Sequence, residues 1–181
     1  MEFINKNPKL YIISGKAQSG KDTIASIIKT YYEKKSKKVI TLAYASYLKN
    51  YAKKITNWDG KEETKPRELL QNLGVELIKT KINENMLINR IKEDIKIYSY
   101  FFDIIIITDA RFKEEIEKIE GPKTVIHVSR NETNLTDKQQ IHKTETSLDD
   151  YNNYDYNILN NKDLKYLKEK VEKIVKEVNY E

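Results

Sequence analysis

Short apolar runs alternate with helically spaced apolar stripes from one end of the chain to the other. "KLYIIS" (Lys9–Ser14) is a compact run that stops at Gly15 and predicts a buried strand. Beyond a glycine loop, Ile24, Ile27, Ile28 and Tyr31 recur at i, i+3, i+4 and i+7, which predicts an amphipathic helix from Lys21 to Lys34. "KKVITLAYA" (Lys37–Ala45) predicts a second strand, and Ala45 to Ile55 a helix. The polar stretch "NWDGKEETKP" (Asn57–Pro66) carries Gly and Pro and reads as a loop. Arg67 to Lys81 predicts one helix with Leu69, Leu70, Leu73, Leu77 and Ile78 on a single face, and Glu84 to Tyr98 predicts another. "DIIIITDA" (Asp103–Ala110) is a continuous β-branched run of the kind found in a central parallel strand buried on both faces. A short helix (Lys113–Ile119), a strand "KTVIHVS" (Lys123–Ser129) and a last strand "YDYNIL" (Tyr154–Leu159) follow. Asp163 to Val178 closes the chain with an apolar stripe of Leu164, Leu167, Val171, Ile174, Val175 and Val178.

Strands that alternate with helices predict an α/β, three-layer fold: a parallel five-stranded sheet flanked by helices. Ligands of such sheets bind at the carboxyl ends of the strands. Gly15, Asp109 and Arg130 all fall there, so the candidate chemistry converges on one edge. The expected organisation is one domain over residues 1–181, with a helical insert at 45–98 and a polar, apolar-poor lid at 130–150.

Composition narrows the function classes. The 181 residues contain no cysteine, which removes disulfides, thiolate chemistry and Cys-type zinc sites. Neither a secretory pattern nor an apolar run of about 20 residues is present, so a cytoplasmic protein without a membrane partner is expected. The net charge of +5 raises the question of nucleic acid. Its source is Lys scattered along helices beside Glu, with no basic cluster, and no polynucleotide partner is expected. In so Lys-rich a chain Arg occurs only at Arg67, Arg90, Arg111 and Arg130. The planar Arg fork suits bidentate phosphate contacts, so each is a functional candidate.

"GKAQSGKDT" spans Gly15, Lys16, Ala17, Gln18, Ser19, Gly20, Lys21, Asp22 and Thr23. It nearly matches the phosphate loop G-x-x-x-x-G-K-[ST], in which glycines let backbone N–H groups curl around phosphate oxygens and Lys reaches the β- and γ-phosphates. It lies between a strand and a helix, whose N-terminus adds a positive dipole end. Asp22 stands where a hydroxyl is usual. A carboxylate there serves either Mg²⁺, which favours hard oxygen ligands, or the helix N-terminus. Asp109 ends the third strand, where a Mg²⁺-organising carboxylate belongs.

The residue after Asp109 is Ala110, not the water-activating Glu of ATP-driven motors, and the N-K-x-D of GTPases has no fitting match. A phosphotransferase remains. A hydroxyl acceptor calls for a base, whereas a phosphate acceptor is already anionic and calls for cations. Thr41 to Lys54, "TLAYASYLKNYAKK", has no acidic residue, three Tyr and three Lys, which favours a phosphate-bearing acceptor with an aromatic moiety.

"SGKAQSGKDT", "KPRELLQNLG", "ITDARFKEE", "HKTETSLDDY" and "YDYNILNN", in that order over residues 9 to 178, resemble the motif set of the bacteriophage-type deoxynucleoside monophosphate kinases. The resemblance implies ATP and Mg²⁺ as cofactors and a small-molecule deoxynucleotide as partner, and leaves a homodimer open. It also implies roles. Lys21 holds the donor phosphates. Arg67 meets the acceptor phosphate, with Lys49 beside it, and Gln71 meets the base. Asp109 organises Mg²⁺ or a donor-side water, Arg111 reaches the phosphates, and Glu115 braces Arg111. The match is loose at the lid, where the clamping cation is expected in the order Arg130, Lys143, Lys138. Trp58, in the loop before Arg67, is a candidate stacking surface for the base. His142 is read as structural with a minor chance of ligand contact, and His127 as packed. Two rival readings are a kinase of another phosphorylated small molecule, such as phosphomevalonate, and a non-catalytic nucleotide-binding protein.

Overall fold

The computed structural model describes residues 2–131 and 142–178. Five parallel strands form one sheet in the spatial order β2-β3-β1-β4-β5: β1 (Lys9–Ser14), β2 (Val39–Leu42), β3 (Ile104–Ala110), β4 (Thr124–Ser129) and β5 (Tyr156–Leu159). The glycine-loop strand β1 lies at the centre, with Tyr11 opposite Ile106 of β3 on one side and Thr124 of β4 on the other. That order brings the ends of β1, β3 and β4 side by side, as expected for a ligand edge.

Strand side chains alternate between faces, so the isoleucine runs feed two cores at once. Tyr11, Ile13, Ile104 and Ile106 pack under α1 (Lys21–Glu33) and the C-terminal helix α7 (Leu164–Val178), through Ile24, Ile28, Val171 and Val175. Leu10, Ile12, Ile105 and Ile107 face α2 (Tyr44–Thr56), α4 (Met86–Tyr98) and α5 (Lys113–Glu117), meeting Tyr44, Ile88, Ile91 and Ile116. Truncating one of these buried isoleucines to Ala is expected to cost about 2–5 kcal/mol.

Two element boundaries differ from the sequence pattern. The second strand stops at Leu42 and α2 begins at Tyr44, because the Asp109 carboxylate accepts the backbone N–H groups of Tyr44 (2.8 Å) and Ala45 (2.9 Å). Those are orphan donors of a helix start, satisfied here by a side chain from the neighbouring strand. The expected single helix from Arg67 is α-helical only through Asn72 (α3). From Leu73 to Ile82 it widens into a π-helix, where the Thr80 hydroxyl donates to the Val75 carbonyl at 2.8 Å. Wide turns of this kind recur at functional sites. Between residues 130 and 150 the described part contains a four-residue helix, α6 (Lys143–Thr146). Residues 132–141, including the lid candidate Lys138, lie outside the described residues.

Candidate active site

The loop between β1 and α1 turns on two glycines. Gly15 has φ +142° and Gly20 φ +103°, a region that costs an L side chain strain. A Cβ at Gly15 would stand 2.2 Å from the Val128 carbonyl oxygen, and one at Gly20 the same distance from Asn160 Nδ2. The loop is thus wedged between β4 and the end of β5, with the Asn160 amide donating to the Ser19 carbonyl at 2.8 Å.

Lys21 opens α1, is buried, and its Nζ donates to the Lys16 carbonyl at 2.7 Å. Burial, and next the Arg111 guanidinium, push its ammonium down to about 8, against the pull of Glu145, Asp109 and Asp22. A cation so held gains most from a polyanion placed beside it. Asp22 is exposed in the first turn of α1, while Gln18 takes φ +62° at the loop's crest. Lys16 points outward to pair with Asp149 at 2.9 Å.

From this loop a cavity of about 440 Å³ runs over the end of β3 into the helical insert. Its polar end holds Ala17, Gln18, Lys21, Asp22, Asp109 and Arg111, and its far end is walled by Leu48, Leu70, Val75, Ile78, Leu87 and Ile88. Lys49, Arg67 and Gln71 line the same cavity, and Arg67 pairs with Glu62. An apolar chamber with a few convergent polar groups is the ordinary form of a small-molecule site. The aromatic wall comes from Tyr44 and Phe112, the latter carrying the Lys79 ammonium 3.6 Å from its ring centre.

Burial raises the carboxyl of Asp109, while the two backbone donors, Arg111 and Lys21 lower it. Each oxygen accepts one N–H and keeps a free lone pair. Glu115, at the start of α5, is buried with its carboxylate accepting the backbone N–H groups of Arg111 (2.7 Å) and Phe112 (3.1 Å). Burial lifts it to about 8 despite those donors. It braces the main chain of Arg111 only. The guanidinium is held elsewhere: its NH1 donates to Glu145 Oε1 at 2.5 Å. Glu145 is buried on α6, and its Oε2 accepts the Ala17 N–H of the glycine loop at 2.7 Å. Glu115 thus meets Arg111 through the main chain, and the guanidinium has a different partner in Glu145. Glu145 was missed, although it is the last residue of the quoted "HKTE".

A second cavity of about 420 Å³ lies on the other flank of the loop, lined by Gly15, Lys16, Ser19, His127, Arg130 and Tyr154 among others. Arg130 is exposed there and does not line the larger cavity, while Arg111 and Glu145 line both. His127 stacks on Tyr154 at 4.6 Å and faces the Ser14 hydroxyl at 3.3 Å. Burial lowers its imidazolium. His142 accepts the Thr144 N–H at 3.2 Å as the cap of α6. Lys143 is exposed on that helix. Thr23 is exposed and lines neither cavity. Trp58 also lies outside the larger cavity. Its indole N–H donates to the Lys61 carbonyl (3.0 Å) and Thr64 Oγ1 (3.2 Å), so the ring organises its own loop.

A glycine loop closing on a buried Lys, at the central strand of a parallel sheet and beside a strand-end Asp, defines a P-loop phosphotransferase. The solved structures that resemble it agree on the fold. APE1195 matches with a TM-score of 0.52 at 14% identity, over 96% of this chain and 99% of that one. A sugar kinase from Janibacter sp. HTCC2649 matches with a TM-score of 0.52 at 11% identity, over 90% and 91%. Among curated proteins none matches the chain. The family of deoxynucleotide monophosphate kinases matches residues 29–171, and the chain belongs to it. It is therefore a kinase that phosphorylates nucleoside monophosphates. The glycine loop lies just before the matched span, so its geometry supports the same conclusion independently. No described helix is long and apolar enough to cross a membrane.

Proposed function

We propose that the enzyme transfers the γ-phosphoryl of ATP, carried with Mg²⁺, to the phosphate of a deoxynucleoside monophosphate. The observation that carries this is that one cavity is lined by Lys21, by Arg67 and Gln71, and by an apolar wall. In this reading residues 15–23 cradle the ATP phosphates. Lys49 and Arg67 hold the acceptor phosphate, Gln71 meets the base edge, and the base lies against the apolar wall. Arg111 neutralises charge between donor and acceptor, and Arg130 closes the donor side. Catalysis is positioning and charge neutralisation. An anionic acceptor needs no base.

The residues present fit Mg²⁺. Among the described residues no group of three or more His, Cys, Asp or Glu forms a metal cage. Mg²⁺ normally binds through one or two carboxylates together with waters and substrate phosphates. Exposed Asp22 would hold it, with Asp109 receiving a water of its shell through the free lone pairs. When bound, the ion supplies positive charge to the β- and γ-phosphates. Such substrates are cytoplasmic metabolites, and the proposal places the enzyme there.

ADP release, coupled to a readout, tests the reading across deoxynucleoside monophosphates, ribonucleoside monophosphates, phosphomevalonate and no acceptor, with and without Mg²⁺. Release that requires both a deoxynucleotide and the metal is expected. Equal release without acceptor, or with phosphomevalonate alone, would overturn it. Replacing Asp22 by Ser should raise the Mg²⁺ concentration needed for half-maximal rate, and an unchanged metal dependence would confine Asp22 to the helix end.

A further inference from the structure

We infer that Glu145 is a positioning residue that locks the phosphoryl-contacting Arg111 to the phosphate loop. The inference rests on the proposed role of Arg111 and adds a residue that neither the motif roles nor that proposal contains.

Glu145 is 7% exposed and spends both carboxylate oxygens on functional partners. Oε1 takes Arg111 NH1 at 2.5 Å and Oε2 takes the Ala17 N–H at 2.7 Å. The neighbouring Thr144 carbonyl adds a longer contact to the same NH1 at 3.4 Å. One carboxylate therefore ties together three chain segments distant in sequence: the loop after β1, the residue after β3, and α6. A charge-assisted pair is shorter and stiffer than a neutral one, and here it is shielded from water. Its two anchors differ in mobility. The Ala17 N–H belongs to a loop wedged against β4 and Asn160, whereas the Arg111 side chain is long and has many rotamers. The bridge thus refers the flexible group to the fixed one.

The consequence is functional. Arg111 lines both cavities, and binding NH1 to Glu145 leaves its other nitrogens for the larger one, where Lys21 and Asp109 also lie. Holding a cation within a fraction of an ångström of a migrating phosphoryl matters because a misplacement of about 1 Å can cost about 100-fold in rate. A buried carboxylate without such a function would be a poor choice of stabiliser, since a well-packed apolar group usually serves as well.

The test is a double-mutant cycle read as kcat and KM for both substrates, in the wild type, Glu145→Ala, Arg111→Met and the double variant. Glu145→Ala is expected to lower kcat about 10- to 100-fold, with both KM values within about threefold. In the Arg111→Met background the same change is expected to shift kcat less than about twofold, because its target is gone. Glu145→Gln keeps an acceptor for Ala17 and loses the charge; it should fold and show an intermediate kcat loss. An unchanged kcat in folded Glu145→Gln and Glu145→Ala, or an equal fold-loss in both Arg111 backgrounds, would overturn the inference. Wild-type inactivity toward every deoxynucleotide would instead overturn the proposed function, so the two failures are distinguishable.

Discussion

The two ends of the cavity that holds Lys21 are built in opposite ways. The end proposed for the donor is nearly contiguous: residues 15–20 form one loop whose backbone shape is set by Gly15 and Gly20, and Lys21, Asp22 and Thr23 open α1 directly after it. The end proposed for the acceptor is assembled from α2, α3, the π-helical segment and the residue after Arg111, with Lys49 from α2, Arg67 and Gln71 from α3, and Phe112 from the stretch after β3. Phosphate recognition needs a fixed cluster of donors and a charge, which a short motif supplies. A base needs a shaped apolar chamber, which only tertiary packing supplies. Changes at the donor end should strike chemistry, and changes at the acceptor end should strike acceptor affinity.

The largest effect is expected at the donor end. Replacing Lys21 by Ala removes the charge aimed at the transferred phosphoryl and should lower kcat by about 1,000-fold or more in a coupled assay. Near-normal turnover in folded protein would break the comparison. Replacing Gly20 by Ala introduces a Cβ against Asn160 at a φ of +103°. It should weaken ATP binding by about tenfold while sparing acceptor binding, as calorimetry of each ligand would show. Proton linkage sharpens the same point. Free Lys21 titrates near 8, and phosphate anions must raise it, so nucleotide binding takes up protons above that pH. The uptake should grow as pH rises through that range, fade toward lower pH, and be absent in Lys21→Met. Calorimetry in buffers of different ionisation enthalpy reads it directly. The smallest effect is expected from Trp58→Phe. Its indole serves the 57–66 loop, so the acceptor KM should change less than about twofold. A tenfold rise would return Trp58 to the base.

The legibility of the molecule follows the same division. The isoleucine runs and the Ile24, Ile28, Tyr31 spacing announced the sheet and its covering helices, because period and burial are local signals. The glycine loop was legible for the same reason. Three features were not. The start of α2 is dictated by Asp109, 65 residues later, so no pattern near Tyr44 could mark it. The π-helical turns after Leu73 keep an apolar stripe that fits an α-helix equally well over so short a span. The partner of the Arg111 guanidinium is Glu145, 34 residues on, and the motif resemblance assigned that residue no role. The signal that could have found it was its place in the quoted "HKTETSLDDY", three residues after His142. Trp58 is open between stacking and packing in the sequence, and the structure adds only that its N–H serves its own loop and that it does not line the cavity holding Lys21.

The division between the two ends is tested most directly by steady-state kinetics of Arg67→Ala with both substrates varied. Arg67, proposed to hold the acceptor phosphate, lines the cavity and pairs with Glu62. The account predicts a rise of about 10- to 100-fold in the KM for the deoxynucleoside monophosphate, with the KM for ATP within about twofold. A rise confined to ATP, or equal for both substrates, would contradict it.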